Sequence, residues 1–112
     1  MESLISIKSN KTSLYYAKKS LKLSLTSYLP FIKKPNLENS NKMLISSNLA
    51  GKAINISKTT APHAVSYPFS SMFGISHGHA VSLTFEKFLL FNYLNLNRSL
   101  SSFNLNNRYK TI

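Results

Sequence analysis

Thr60-Ala61-Pro62-His63-Ala64-Val65-Ser66-Tyr67-Pro68, followed by Gly74-Ile75-Ser76-His77-Gly78-His79, contains all three histidines of the chain. Thr60 and Pro62 predict the cap and first turn of one helix, and Gly74 with Ser76 predicts a stop and a new cap. His63 and His77 are therefore each expected at the start of a helix, with the two imidazoles converging on one seam. A helix start carries partial positive charge, which disfavours imidazolium and favours the neutral ring that donates a lone pair to a divalent metal. Iron or zinc at such a pair needs further ligands, commonly an acid. The chain has no Asp, and its acids are Glu2, Glu38 and Glu86.

Working outward from this block, helical spacing dominates. Leu14, Ala17, Leu21, Leu25, Tyr28 and Ile32 step by three or four, which predicts an amphipathic helix burying that face. Residues 3 to 9 read as a fraying helical remnant, with Lys11 to Ser13 as a turn capped by Thr12 or Ser13. Pro30 is expected to break or kink the helix, and Lys33-Lys34-Pro35-Asn36 to form a connection. Asn39 or Ser40 is expected to cap a second long helix reaching about Lys58. Its small residues Ser46, Ser47, Ala50, Gly51 and Ala53 invite a close neighbour; Gly51 in mid-helix costs about 1 kcal/mol relative to Ala, so close packing is its expected reason. A third helix spans about Ala61 to Phe73, with Tyr67 one turn after His63. A fourth runs from His77 to about Asn92 with Ala80, Val81, Phe85, Phe88 and Leu89 on its apolar side. The expected fold class is all-α: a helical bundle over residues 1–93, followed at 94–112 by a loose, low-complexity tail rich in Asn, Ser and Leu.

At 112 residues the chain forms one small core at most. No apolar run is long enough to span a bilayer, the start lacks the pattern of a signal peptide, and there is no cysteine for a disulfide framework. A cytoplasmic location without membrane partners is the expectation. The net charge of +11, from 14 basic and 3 acidic residues, would attract phosphate-bearing partners in a salt-dependent way. Its densest group, Lys11, Lys18, Lys19 and Lys22, reads as a solvated helix face. Arg98 and Arg108 sit in no nucleic-acid motif, so no specific nucleic-acid partner is expected.

Residues 43 to 93, from Met43-Leu44-Ile45-Ser46-Ser47-Asn48-Leu49-Ala50-Gly51-Lys52-Ala53-Ile54-Asn55 through the two-histidine block to Phe88-Leu89-Leu90-Phe91-Asn92, resemble the helical domain of the iron-containing alcohol dehydrogenases. Helix order, the Gly-rich junction and the Asn after the last helix recur together. In that family a His near the start of one helix and a second His fourteen positions later, inside a His-Gly pair, are metal ligands. His63 and His77 match both, spacing included. The resemblance implies a divalent metal, iron with zinc as the alternative, and NAD(P) in the intact family. The family's other ligands lie on a helix whose tail Met1-Glu2-Ser3 resembles. Gly51, Gly74 and Gly78 are the only glycines and form no dinucleotide fingerprint.

The resemblance thus implies a truncated piece of a metal-dependent dehydrogenase, inactive alone, that supplies two ligands and part of the substrate side. A separate nucleotide-binding domain or chain is the implied partner. The segment Thr59 to Pro68 resembles the branch that includes phosphonoacetaldehyde reductases and oxidases of keto-deoxy sugar acids. Beside this stands the reading of a small basic metal-binding or interaction module without catalysis. Tyr67 reads either as a substrate contact or as a buried tyrosine with one hydrogen bond. His79, two residues past His77 and turned away around the helix, reads as a structural or ligand-supporting residue. Thr59 and Thr60 read as cap and turn.

Overall fold

The computed structural model describes residues 1–96. Among them the fold is all-α, with helices α1 (Glu2–Ile5), α2 (Lys11–Lys33), α3 (Leu37–Ser57), α4 (Ala61–Phe73) and α5 (His77–Leu94). The short connections fold the long helices into two hairpins, α2 with α3 and α4 with α5, which pack chiefly within each pair. No described helix is long and apolar enough to cross a membrane. Leu94 still belongs to α5, and from residue 97 onward the expected tail lies outside the described residues.

The start of the chain is not a fraying remnant. Leu4 and Ile5 of α1 join Ala17 and Ala53 in the buried core cluster, against which Leu14, Tyr16, Leu21 and Leu89 pack. The hydroxyl of Ser6 donates to the Ser57 carbonyl at 2.6 Å, and that of Ser9 to the Ser3 carbonyl at 2.5 Å. Burial of Leu4 and Ile5 supplies what a four-residue helix cannot supply by propagation alone.

Helix α2 starts earlier than Thr12 or Ser13. Asn10 is its cap: the Asn10 side-chain oxygen accepts from the Ser13 amide, and the Asn10 amide donates to the Ser13 hydroxyl, both at 2.9 Å. This reciprocal pair satisfies two backbone donors at once. Pro30 does not end the helix, which continues to Lys33. The proline stands in the last turn, and the carbonyl it deprives belongs to exposed Thr26, where water is at hand. Asn36, rather than Asn39 or Ser40, caps α3, accepting from the Asn39 amide at 2.8 Å.

The face that α2 buries follows the expected one in its first half, where Ala17 is buried and Leu14 and Leu21 pack on the core, and departs from it in the second. There Leu25, Tyr28 and Ile32 are exposed, and the serines Ser13, Ser20 and Ser27 are buried along the helix. Opposite them on α3 lie Ser46, Leu49, Ala53 and Ser57. Ser20 donates to the Ser46 carbonyl and Ser46 to the Ser20 carbonyl, each at 2.8 Å, and the Ser24 hydroxyl lies 2.5 Å from that of Ser46. Small side chains let the helix backbones approach, and the hydroxyls of Ser20, Ser24 and Ser46 find partners on the facing helix, so burying these three carries little desolvation cost. Gly51 has no part in this approach: it is exposed, and a Cβ there would meet nothing within 4 Å.

Between the hairpins, Lys58 adopts φ 58° and ψ 176°, a region suited to glycine. Gly74 closes α4 with φ 66°, and the Ile75 amide reaches back to the Phe69 carbonyl at 3.4 Å, as a left-handed helix stop requires.

Candidate metal centre

Thr60 and Ser76 stand at the N-caps of α4 and α5, as their residue types predict, so His63 lies in the first turn of α4 and His77 is the first residue of α5. Gly74 reverses the chain between them. The two imidazoles are brought together, with ring centroids 5.1 Å apart in an edge-to-face arrangement at 68°. Tyr67, one turn beyond His63, stacks on His77 at 5.8 Å and 17°. It is 60% exposed, so the reading of a buried tyrosine does not hold. Thr84 of α5 donates to the Pro62 carbonyl at 3.3 Å and fastens the hairpin beside the site. His79 is exposed and stands outside this group of rings.

The structure adds to the site an acid that no local pattern in the sequence connects to it. The side chain of Glu2, only 5% exposed, reaches from α1 to the start of α4. Its Oε2 accepts from the Thr60 amide at 2.5 Å and from the Thr60 hydroxyl at 2.6 Å. Its Oε1 pairs with Nδ1 of His63. Thr60 thus caps α4 by position, but its hydroxyl serves Glu2 instead of the helix amides. A carboxylate at a helix start is favoured by the helix dipole and takes the role that a local glutamate plays in a capping box. The signal in the sequence was an acid, in a chain with three, set against the apolar pair Leu4 and Ile5. The amino group of Met1 is held below its ordinary pKa by burial, which outweighs the opposing charge of Glu2.

As a donor set, the site offers imidazole nitrogens from two helices. No group of three or more His, Cys, Asp or Glu side chains placed to hold a metal occurs among the described residues. His63 has one nitrogen engaged by Glu2, which leaves the other for a ligand; His77 is exposed at the hairpin mouth. The pair fits a divalent ion as part of a coordination sphere.

The whole sequence, residues 1–112, matches the family described as the Fe-containing alcohol dehydrogenase family, C-terminal. The chain belongs to that family. The match extends through the Asn- and Ser-rich stretch beyond residue 93. It is also similar to a phosphonoacetaldehyde reductase of Streptomyces viridochromogenes, with 39% identity over 44 residues, which cover 39% of this chain and 11% of the relative. The match therefore spans about a tenth of that relative's length. No solved structure matches this dehydrogenase-family chain.

Proposed function

We propose that this chain supplies the helical, metal-holding side of an iron-dependent, NAD(P)-linked alcohol dehydrogenase, with His63 and His77 as two of the ligands. The observation that carries this reading is the 5.1 Å approach of two imidazoles that lie fourteen positions apart in the sequence and on two different helices. When bound, the ion supplies Lewis acidity to an alcohol or carbonyl oxygen, and the nicotinamide of the intact enzyme carries the hydride. His63 and His77 would hold the ion, with zinc as an alternative to iron. Tyr67 braces the His77 ring and borders the space in front of it.

The nicotinamide cofactor does not fit this chain. Its three glycines are dispersed and form no pyrophosphate-binding turn, so a separate nucleotide-binding domain or chain supplies that half and the remaining ligands. The named relative supports a small anionic aldehyde as the substrate class, and the basic surface is compatible with it. His79, outside the ring group, is assigned a supporting role near the substrate mouth.

The test is titration of the purified chain with zinc or cobalt. Binding lost in both His63→Ala and His77→Ala supports the reading; affinity unchanged by either substitution overturns it. The chain alone is expected to show no NAD(P)-dependent alcohol oxidation.

A further inference from the structure

We infer that Glu2 is the positioning residue for His63, its carboxylate fixing the imidazole as the Nδ1–H tautomer and leaving Nε2 as the ring's free lone pair. An ionised carboxylate only accepts hydrogen bonds, so Nδ1, facing Oε1, must carry the proton. In a neutral ring the other nitrogen is then the acceptor. The second oxygen of Glu2 is occupied by the amide and hydroxyl of Thr60. The carboxylate is therefore held on both sides and cannot turn away without stranding three donors.

The anchoring extends behind Glu2. Leu4 and Ile5 are buried in the core, and Ser6 ties α1 to the Ser57 carbonyl, three residues before Thr60. The same short segment thus fixes both the end of α3 and the start of α4. A histidine whose far nitrogen is held by a carboxylate is pre-set in tautomer and orientation for a metal, and losing such a partner costs about 10–100-fold in metal affinity. The tautomer itself depends only on the contact seen here. Its consequence for metal binding rests on the reading of His63 as a ligand.

The test uses the full, metal-free chain, labelled with nitrogen-15 and held above the ordinary imidazole pKa of about 6.5. Long-range proton–nitrogen correlation of the imidazoles then reports which nitrogen of each ring is protonated. The expected result is His63 as Nδ1–H, retained in Thr60→Val and lost in Glu2→Gln, whose amide group offers a donor to Nδ1. A purely capping role for Glu2 predicts instead a His63 tautomer that neither substitution changes. His63 protonated on Nε2 in the unsubstituted chain, or an Nδ1–H signal that persists in folded Glu2→Gln, overturns the inference. Should Glu2→Gln fail to fold, the unsubstituted chain decides it, with Nδ1–H on His63 supporting the inference and Nε2–H overturning it.

Zinc titration separates this inference from the metal reading. An Nδ1–H tautomer in a chain that binds no zinc supports Glu2 and removes the metal reading. Zinc bound through an Nε2–H ring removes only Glu2. With both in place, Glu2→Gln is expected to weaken zinc by about 10-fold or more.

Discussion

Ser20 and Ser46 exchange hydrogen bonds across the α2–α3 interface, each hydroxyl donating to the other's backbone carbonyl at 2.8 Å. The geometry requires the backbones to be close, which only small residues permit. Ser46→Ala removes one donor and the partner of Ser24, with an expected cost of about 1–2 kcal/mol. Ser46→Val, which also overfills the contact, should cost about 1–3 kcal/mol. Ser20→Ala should cost a similar amount, and because each bond ends on a main-chain carbonyl that alanine keeps, the two losses should be close to additive in urea unfolding. No loss of stability in either single variant would show that the exchange contributes nothing.

Ser27 provides the contrast on the same face. It is 1% exposed, and its hydroxyl has no partner among the described residues. Ser27→Ala should be neutral or stabilising by up to about 1 kcal/mol, because it removes a buried polar group without breaking a bond. A loss as large as that of Ser46→Ala would contradict this.

Gly51 and Gly74 should respond to alanine with opposite signs. At Gly51 the helix is regular and a Cβ meets nothing, so Gly51→Ala should stabilise by about 1 kcal/mol. At Gly74 the positive φ of 66° makes Gly74→Ala cost about 1–2 kcal/mol. Thermal midpoints of the two variants test the pair together.

Lys58 holds a backbone conformation that costs a non-glycine residue about 1–3 kcal/mol. Glycine there relieves the strain but adds about 0.5–1 kcal/mol of unfolded-state entropy. Lys58→Gly is therefore expected to raise the urea midpoint, and a fall would show that the side-chain bond from Lys58 to the Asn55 carbonyl matters more.

Glu38 gives the sign of one pH effect. The hydrogen bond from Lys42, and then its charge, hold the Glu38 carboxyl below its ordinary value, outweighing desolvation. A folded pKa below the unfolded one means that the pair stabilises above the ordinary glutamate range and that this is lost as pH falls through the folded value. The pair is exposed and salt-screened. Glu38→Gln should lower the thermal midpoint slightly at neutral pH and low salt, with the difference vanishing in acid and in high salt.

How far the sequence speaks depends on how local the cause is. Helix α4 was legible at both ends because Thr60, Pro62 and Gly74 encode backbone conformation directly. The approach of His63 to His77 was legible from helix starts separated by a glycine stop. The packing face of α2 was legible only in its first half, where Leu14, Ala17 and Leu21 meet the core, because two stripes run at helical spacing: Leu14 to Ile32 and Ser13 to Ser27. Apolarity favours the first, whereas close backbone approach with facing carbonyls favours the second. The reach of Glu2 to His63 spans 61 positions and leaves no periodic trace.

Helix α1 is shorter than any other described helix, yet it and its C-cap fasten the tail of one hairpin through Ser6 and the head of the next through Glu2. Opening of the α4–α5 hairpin as a local unit must therefore break contacts with a segment 58 positions earlier in the chain. Slow amide exchange at the head of α4 would then report on the integrity of residues 2 to 6, so damage at one extremity of the sequence would be read as mobility in the histidine hairpin.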